Sequence, residues 1–197
     1  MIQNSFTGIT RAQKIEFFHG ILFLFLQIKS FLHKELNYIK NYMEWIYNIT
    51  LQNRLFLLKF MNKFSLEQLN QVPDGYKNSI YWNIAHTVVT QQLLTYGLSS
   101  EPLLIDIGLV DCYKKGTVTS SKASQKDLEI MKTLLFSTLE KTKIDYEKGK
   151  FKNFTPYTTS LKITLSSFEE AISFNAFHEG IHLGYILSMK NCLFLGD

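Results

Sequence analysis

Residues 178–182 read His-Glu-Gly-Ile-His, two imidazoles and a carboxylate in the pattern HExxH. On a helix, positions i and i+4 share one face with side chains about 6 Å apart, close enough to meet on a single divalent ion. Zinc peptidases use this spacing for two metal ligands, with the glutamate as general base. That chemistry also demands a third ligand downstream and a strand that aligns the substrate. The fifteen residues after His182 contain no further His or Glu, and their one carboxylate side chain, Asp197, is the last residue given. A peptidase is therefore not expected, and a third ligand has to come from upstream.

Of the five histidines, His19 and His33 fall in an apolar N-terminal stretch, which leaves His86 as the one other histidine inside a helical pattern of the main domain. Three imidazoles from two helices suit a divalent ion and leave coordination positions open for water or substrate. The competing reading is that all three are ordinary buried histidines with satisfied ring nitrogens. Polar groups that could line a cavity beside them are Asp106, Tyr157, Thr158, Thr159 and Glu179. No motif supports any of these five, and each also fits a capping or surface role.

The elements that would position these residues are helical. With three prolines and ten glycines in 197 residues, turn signals are sparse and long stretches run without a break. Trp45, Ile49, Phe56, Phe60 and Phe64 recur at mostly helical spacing, with Leu55 and Leu58 widening the stripe, and predict a first long helix from Met43 to about Phe64. Pro73, Asp74 and Gly75 predict a turn, and Asn78 or Ser79 an N-cap. A second helix over 79–97 would carry His86 and end at Gly97. Residues 98–123 lack periodicity apart from a helical turn expected around 103–109, and a connection that long suggests function or a cover over a cavity. The third helix, 124–147, shows Leu128, Met131, Leu135, Leu139 and Thr142 on one stripe and stops before Gly149. Ser166 and Ser167, each three residues ahead of a glutamate, form a doubled capping-box pattern that starts the last helix near 167 and carries it to about 191. Four amphipathic helices with two long connections define an all-α four-helix bundle.

Charge and cysteine usage narrow the function classes. Lys and Arg number 21 against 17 Asp and Glu, and the basic residues are scattered, so no nucleic-acid partner is expected. Cys112 and Cys192 form neither a CxxC nor a disulfide framework, which suggests a reducing, cytoplasmic setting. Residues 15–32 resemble a signal h-region, yet Glu16, His19, Gln27 and Lys29 interrupt them, and no membrane span is expected. Residues 1–42 read as an extra helix, an interfacial anchor, or sequence upstream of the true start. The last is favoured because Met43 directly precedes a self-sufficient domain of 43–197.

The stretches NSIYWNIAHTVVTQQLL and AFHEGIHLGYI resemble the DinB-like (DinB/YfiT-type) superfamily of metal-binding four-helix bundles, which pairs a lone His in the second helix with HxxxH in the last. His86, His178 and His182 fall on that pattern, and the resemblance covers about residues 43–192. It implies a divalent ion, zinc or nickel, held by three histidines facing a cavity, often in a homodimer, with Glu179 incidental to coordination. Relatives of this kind include transferases and an isomerase that work with a low-molecular-weight thiol, so a metal-dependent thiol S-transferase acting on a small molecule is one expectation. A non-catalytic metal-binding stress or damage-response protein is the other.

Overall fold

The computed structural model describes residues 11–118 and 121–193, with side chains from Glu16 onward. Asp197, weighed above as a zinc ligand, lies outside the described residues. The chain divides into two compact units at Glu44 and Trp45, a boundary that falls inside the first helix, α1 (Arg11–Lys63). In the first unit Phe17, Phe18, Phe23, Phe25 and Phe31 are all more than half exposed. Among the described residues no helix is long and apolar enough to cross a membrane.

In the second unit the buried face of α1 carries Ile46, Tyr47, Thr50, Arg54, Leu57, Phe60 and Met61, and Phe64 is buried just past its end. This is a three-and-four repeat that shares Phe60 and Phe64 with the expected aromatic stripe but is rotated from its earlier part, since Trp45, Leu55 and Phe56 are exposed. The rotation follows from the two polar members. Thr50 satisfies its hydroxyl on the Ile46 carbonyl at 3.1 Å, and Arg54 finds a carboxylate inside the core, so both are buried where an apolar pattern would not place them.

A short helix, α2 (Leu66–Asn70), follows a Ser65 capping box with Gln68 and was not anticipated. The turn at Pro73 closes through the Tyr76 amide on the Pro73 carbonyl, with Gly75 at φ +82°. Ser79 then accepts from the Trp82 amide and caps α3 (Ile80–Gln92). Residues Leu93–Gly97 continue α3 as a π-helical turn, with the Leu98 amide reaching the Leu93 carbonyl at 3.1 Å. The Thr95 hydroxyl sits 2.6 Å from the Gln91 carbonyl, and such a side-chain competitor for a helix carbonyl promotes a wider turn. The left-handed residue of this exit is Ser100, φ +58°, rather than the expected Gly97.

The helical turn expected near 103–109 lies a few residues later as α4 (Ile107–Tyr113). Asp106 sets its start by accepting from the Gly108 amide at 2.7 Å. Next, α5 (Gln125–Glu147) opens on a Ser124 and Asp127 capping box and buries Leu128, Met131, Leu135, Leu139 and Thr142, the stripe read from the sequence. Gly149, at φ +66°, follows its end. The connection to the last helix contains an unexpected hairpin, β1 (Tyr157–Thr158) paired antiparallel with β2 (Thr164–Leu165). Then α6 (Phe168–Leu193) begins after Ser167, whose hydroxyl accepts from the Glu170 amide while the Glu170 carboxylate accepts from the Ser166 amide. Glu169, the other half of the doubled pattern, instead accepts from the Tyr146 hydroxyl.

The fold is all-α apart from this hairpin. Leu57, Phe60, Leu69, Ile80, Ile84, Val88, Met131, Leu135, Ile186 and Met189 form one apolar cluster of the bundle. Within the bundle a buried polar belt of Arg54, Gln91, Thr138, Thr142, Asn175 and Glu179 is joined by hydrogen bonds. Packing of α3 against α6 is the most extensive helix pairing among the described residues, and it positions the site.

Candidate metal centre

The α3–α6 interface brings His86, His178 and His182 together, with one ring nitrogen of each within 4.8 Å of the others. Ring centroids are 5.2 Å apart for His86 and His178, 4.7 Å for His86 and His182, and 4.5 Å for His178 and His182. Helical spacing places the pair on one face of α6, and α3 presents His86, which is buried, from across the interface.

Two of the rings are oriented by oxygen acceptors. His86 Nδ1 lies 2.6 Å from the Tyr113 carbonyl at the end of α4. A carbonyl can only accept, so Nδ1 carries the proton and Nε2 the lone pair. His182 Nδ1 lies 2.9 Å from Asn83 Oδ1. The Asn83 amide is turned that way because its Nδ2 donates to the Ser79 carbonyl at 2.8 Å. His182 Nε2 is therefore also left with its lone pair.

The nitrogen spacing of the α6 pair suits a tetrahedral ion. Two imidazoles each about 2.0–2.1 Å from zinc place their nitrogens roughly 3.3 Å apart. His178 Nε2 and His182 Nε2 are 3.2 Å apart. His178 Nδ1 is buried without a hydrogen-bond partner among the described residues. The ring is thus held by packing and by the other two imidazoles rather than by an acceptor of its own.

Burial lowers the basicity of all three. His178 is pushed down to about 4, first by desolvation and then by His86. His182 is pushed down to about 3 by desolvation, then by His178 and His86. His86 is lowered by desolvation, partly offset by its bond to the Tyr113 carbonyl. Three neutral imidazoles at pH 7 are the protonation state that a cation requires. Trp82 stacks flat on His86, centroids 4.6 Å apart and planes 12° off parallel, and closes one side of that ring.

The other polar residues singled out from the sequence do not belong to the cluster. Asp106 caps α4. Tyr157 is exposed, the Thr158 hydroxyl pairs with Thr164, and Thr159 accepts from the Ile163 amide, all within the hairpin. Glu179 is fully buried and its carboxylate is paired with Arg54 rather than with the histidines. Sequence reasoning missed Asn83, although it lies one turn before His86 on the same face of α3 and could have been found by that spacing. It could not have found the Tyr113 carbonyl, which depends on how α4 folds back.

The structure brings together the three histidines named from the sequence, on helices in the order expected from the resemblance. No curated protein matches the chain. The sequence model of one family, described as the DinB superfamily, matches residues 51–186, a span that includes all three histidines, the whole of α3 and most of α6. On that match the chain belongs to the DinB superfamily.

Proposed function

We propose that His86, His178 and His182 hold a divalent cation, zinc or nickel, and that the protein is a metal-dependent transferase using a low-molecular-weight thiol as cosubstrate. The observation that carries this reading is the convergence of three uncharged imidazoles whose Nε2 lone pairs, at His86 and His182, are assigned by acceptors on Nδ1. Imidazole donors suit zinc and nickel. A bound cation supplies Lewis acidity, which lowers the pKa of a coordinated thiol so that it is a nucleophile at neutral pH.

The chain's own residues supply the rest. Tyr113 and Asn83 fix two rings in the ligating tautomer. Burial keeps protons off the nitrogens. Three protein ligands leave room for a non-protein donor. Glu179, engaged with Arg54 and Asn175, has no part in the chemistry.

The test is elemental analysis of the wild type and His178→Ala after supply of zinc and nickel, followed by a panel of small thiols with electrophiles. Stoichiometric metal lost in the variant, with conjugation that stops on chelation, is the expected result. Metal saturation with no turnover on any thiol would support the non-catalytic metal-binding reading. A wild type that carries no stoichiometric metal overturns both.

A further inference from the structure

Thr90 stands one turn beyond His86 on α3, and its hydroxyl lies 3.2 Å from His86 Nε2. Other helical threonines of this chain turn their hydroxyls back to a carbonyl three or four residues earlier: Thr50 to Ile46, Thr87 to Ile84, Thr95 to Gln91, Thr138 to Leu134 and Thr142 to Thr138. That is the common arrangement for a hydroxyl within a helix. Thr90 departs from it and points at a ring nitrogen. The direction of the bond is set by the opposite side of the ring. Because His86 Nδ1 donates to the Tyr113 carbonyl, Nε2 can only accept, and Thr90 is the donor.

From this placement we infer that Thr90 is the side chain that recognises the non-protein ligand of the cation site, a small anionic donor such as a thiolate or hydroxide. The inference rests on the three-histidine reading above. A cation takes the Nε2 lone pair, so the Thr90 hydroxyl loses its acceptor while remaining beside that nitrogen. Donor atoms around a first-row ion sit about 3 Å from one another, so a hydroxyl beside one of them and on the side of its neighbour can reach that neighbour with a hydrogen bond. Thr90 is only partly buried, so the residue is not sealed off from solvent. Thr158 and Thr159, the hydroxyls that the sequence suggested, are engaged inside the hairpin. Thr90 is thus a ligand-binding group that does not itself coordinate.

The experiment uses the full chain loaded with cobalt(II), whose d–d absorption reports its ligands without any turnover. Azide and 2-mercaptoethanol are titrated into the wild type, Thr90→Val, Thr90→Ala and Thr90→Ser. All four proteins are expected to take up equimolar cobalt. Loss of one hydrogen bond to an anion should weaken both probes roughly tenfold in the valine and alanine variants. Serine, which keeps the hydroxyl, should restore wild-type affinity. Valine and alanine variants that bind both probes as tightly as the wild type overturn the role of Thr90 and leave the metal site standing. A wild type that takes up no cobalt overturns the three-histidine reading, and the role of Thr90 with it.

Discussion

Arg54 on α1 and Glu179 on α6 meet in the core of the bundle, Nη2 to Oε1 at 2.9 Å, with both side chains fully buried. Arg54 also donates through Nη1 to the Leu135 carbonyl at 2.7 Å and to the Thr138 hydroxyl at 2.9 Å, and Asn175 donates to Glu179 at 2.9 Å. One guanidinium thereby ties α1, α5 and α6 together. Glu179 adjoins His178 in sequence, but one residue of helix is a rotation of about 100°, and its carboxylate turns to Arg54 instead of joining the histidines. A base in a peptidase centre would need a free carboxylate beside the metal, and this carboxylate is committed to an arginine.

The first prediction separates these roles. Glu179→Gln leaves the Arg54 charge buried without its counter-ion, and breaking such a pair costs roughly 3–5 kcal/mol. The variant should unfold at much lower urea than the wild type while retaining its metal at low denaturant. Replacing both partners, Arg54→Met with Glu179→Leu, should recover much of the loss, because two apolar groups leave no orphaned charge. Equal urea midpoints for Glu179→Gln and wild type would falsify the structural role.

Asn83 carries the second prediction. Asn83→Leu removes the acceptor on His182 Nδ1 and lets the ring adopt the wrong tautomer. Loss of such a supporting partner typically weakens metal binding about 10–100-fold. Competition with a chromogenic chelator should show that drop with the metal-to-protein ratio at saturation unchanged. An unaltered affinity would mean that His182 is oriented by packing alone.

How much of this was legible in the sequence depends on whether a residue's surroundings were local. The α5 stripe was read correctly because all its members are apolar or small and their period is uninterrupted. The first part of the α1 stripe differs from the expected one because Arg54 looks like a surface residue until a partner 125 residues away is known, and Thr50 until its bond to the Ile46 carbonyl is. The Ser79 and Ser167 caps were legible because a cap is a local hydrogen bond. The hairpin was not, since strands of two residues hold no periodicity. In the site, the three histidines came from spacing and resemblance, whereas Tyr113 acts through its backbone, about which its side chain says nothing.

The third prediction concerns stability on metal uptake. A ligand that binds only the folded chain stabilises it by about 2.7 kcal/mol at a free concentration one hundred times Kd. Zinc or nickel added to the chelator-treated protein should therefore raise the melting temperature, and further metal should raise it further. His182→Ala should abolish the rise, because two imidazoles hold a divalent ion far more weakly than three. A rise of the same size in that variant would place the ion elsewhere.

The last prediction is a pH dependence of the metal-free protein. His178 and His182 are lowered in the fold to about 4 and about 3, with His86 lowered as well, whereas an unfolded chain holds histidine near its ordinary value of about 6.5. Between pH 6.5 and the folded values the unfolded state binds more protons than the native one, so stability rises with pH in that window. The contribution is fully present above about 6.5 and is lost as pH falls toward 4 and 3, at up to about 1.4 kcal/mol per pH unit for each histidine. Urea unfolding of chelator-treated protein should show a clear loss of stability from pH 7 to pH 5. His178→Phe with His182→Phe should flatten the slope, since neither ring then takes up a proton on unfolding. Saturating zinc should raise the stability of the wild type across pH 7 to 5 with little change of slope, because the native His178 and His182 rings carry no protons there for the ion to displace, and it should leave the double variant unchanged. Equal slopes for wild type and double variant without metal would show that these two rings are already protonated in the native state, contrary to the burial that isolates them from water.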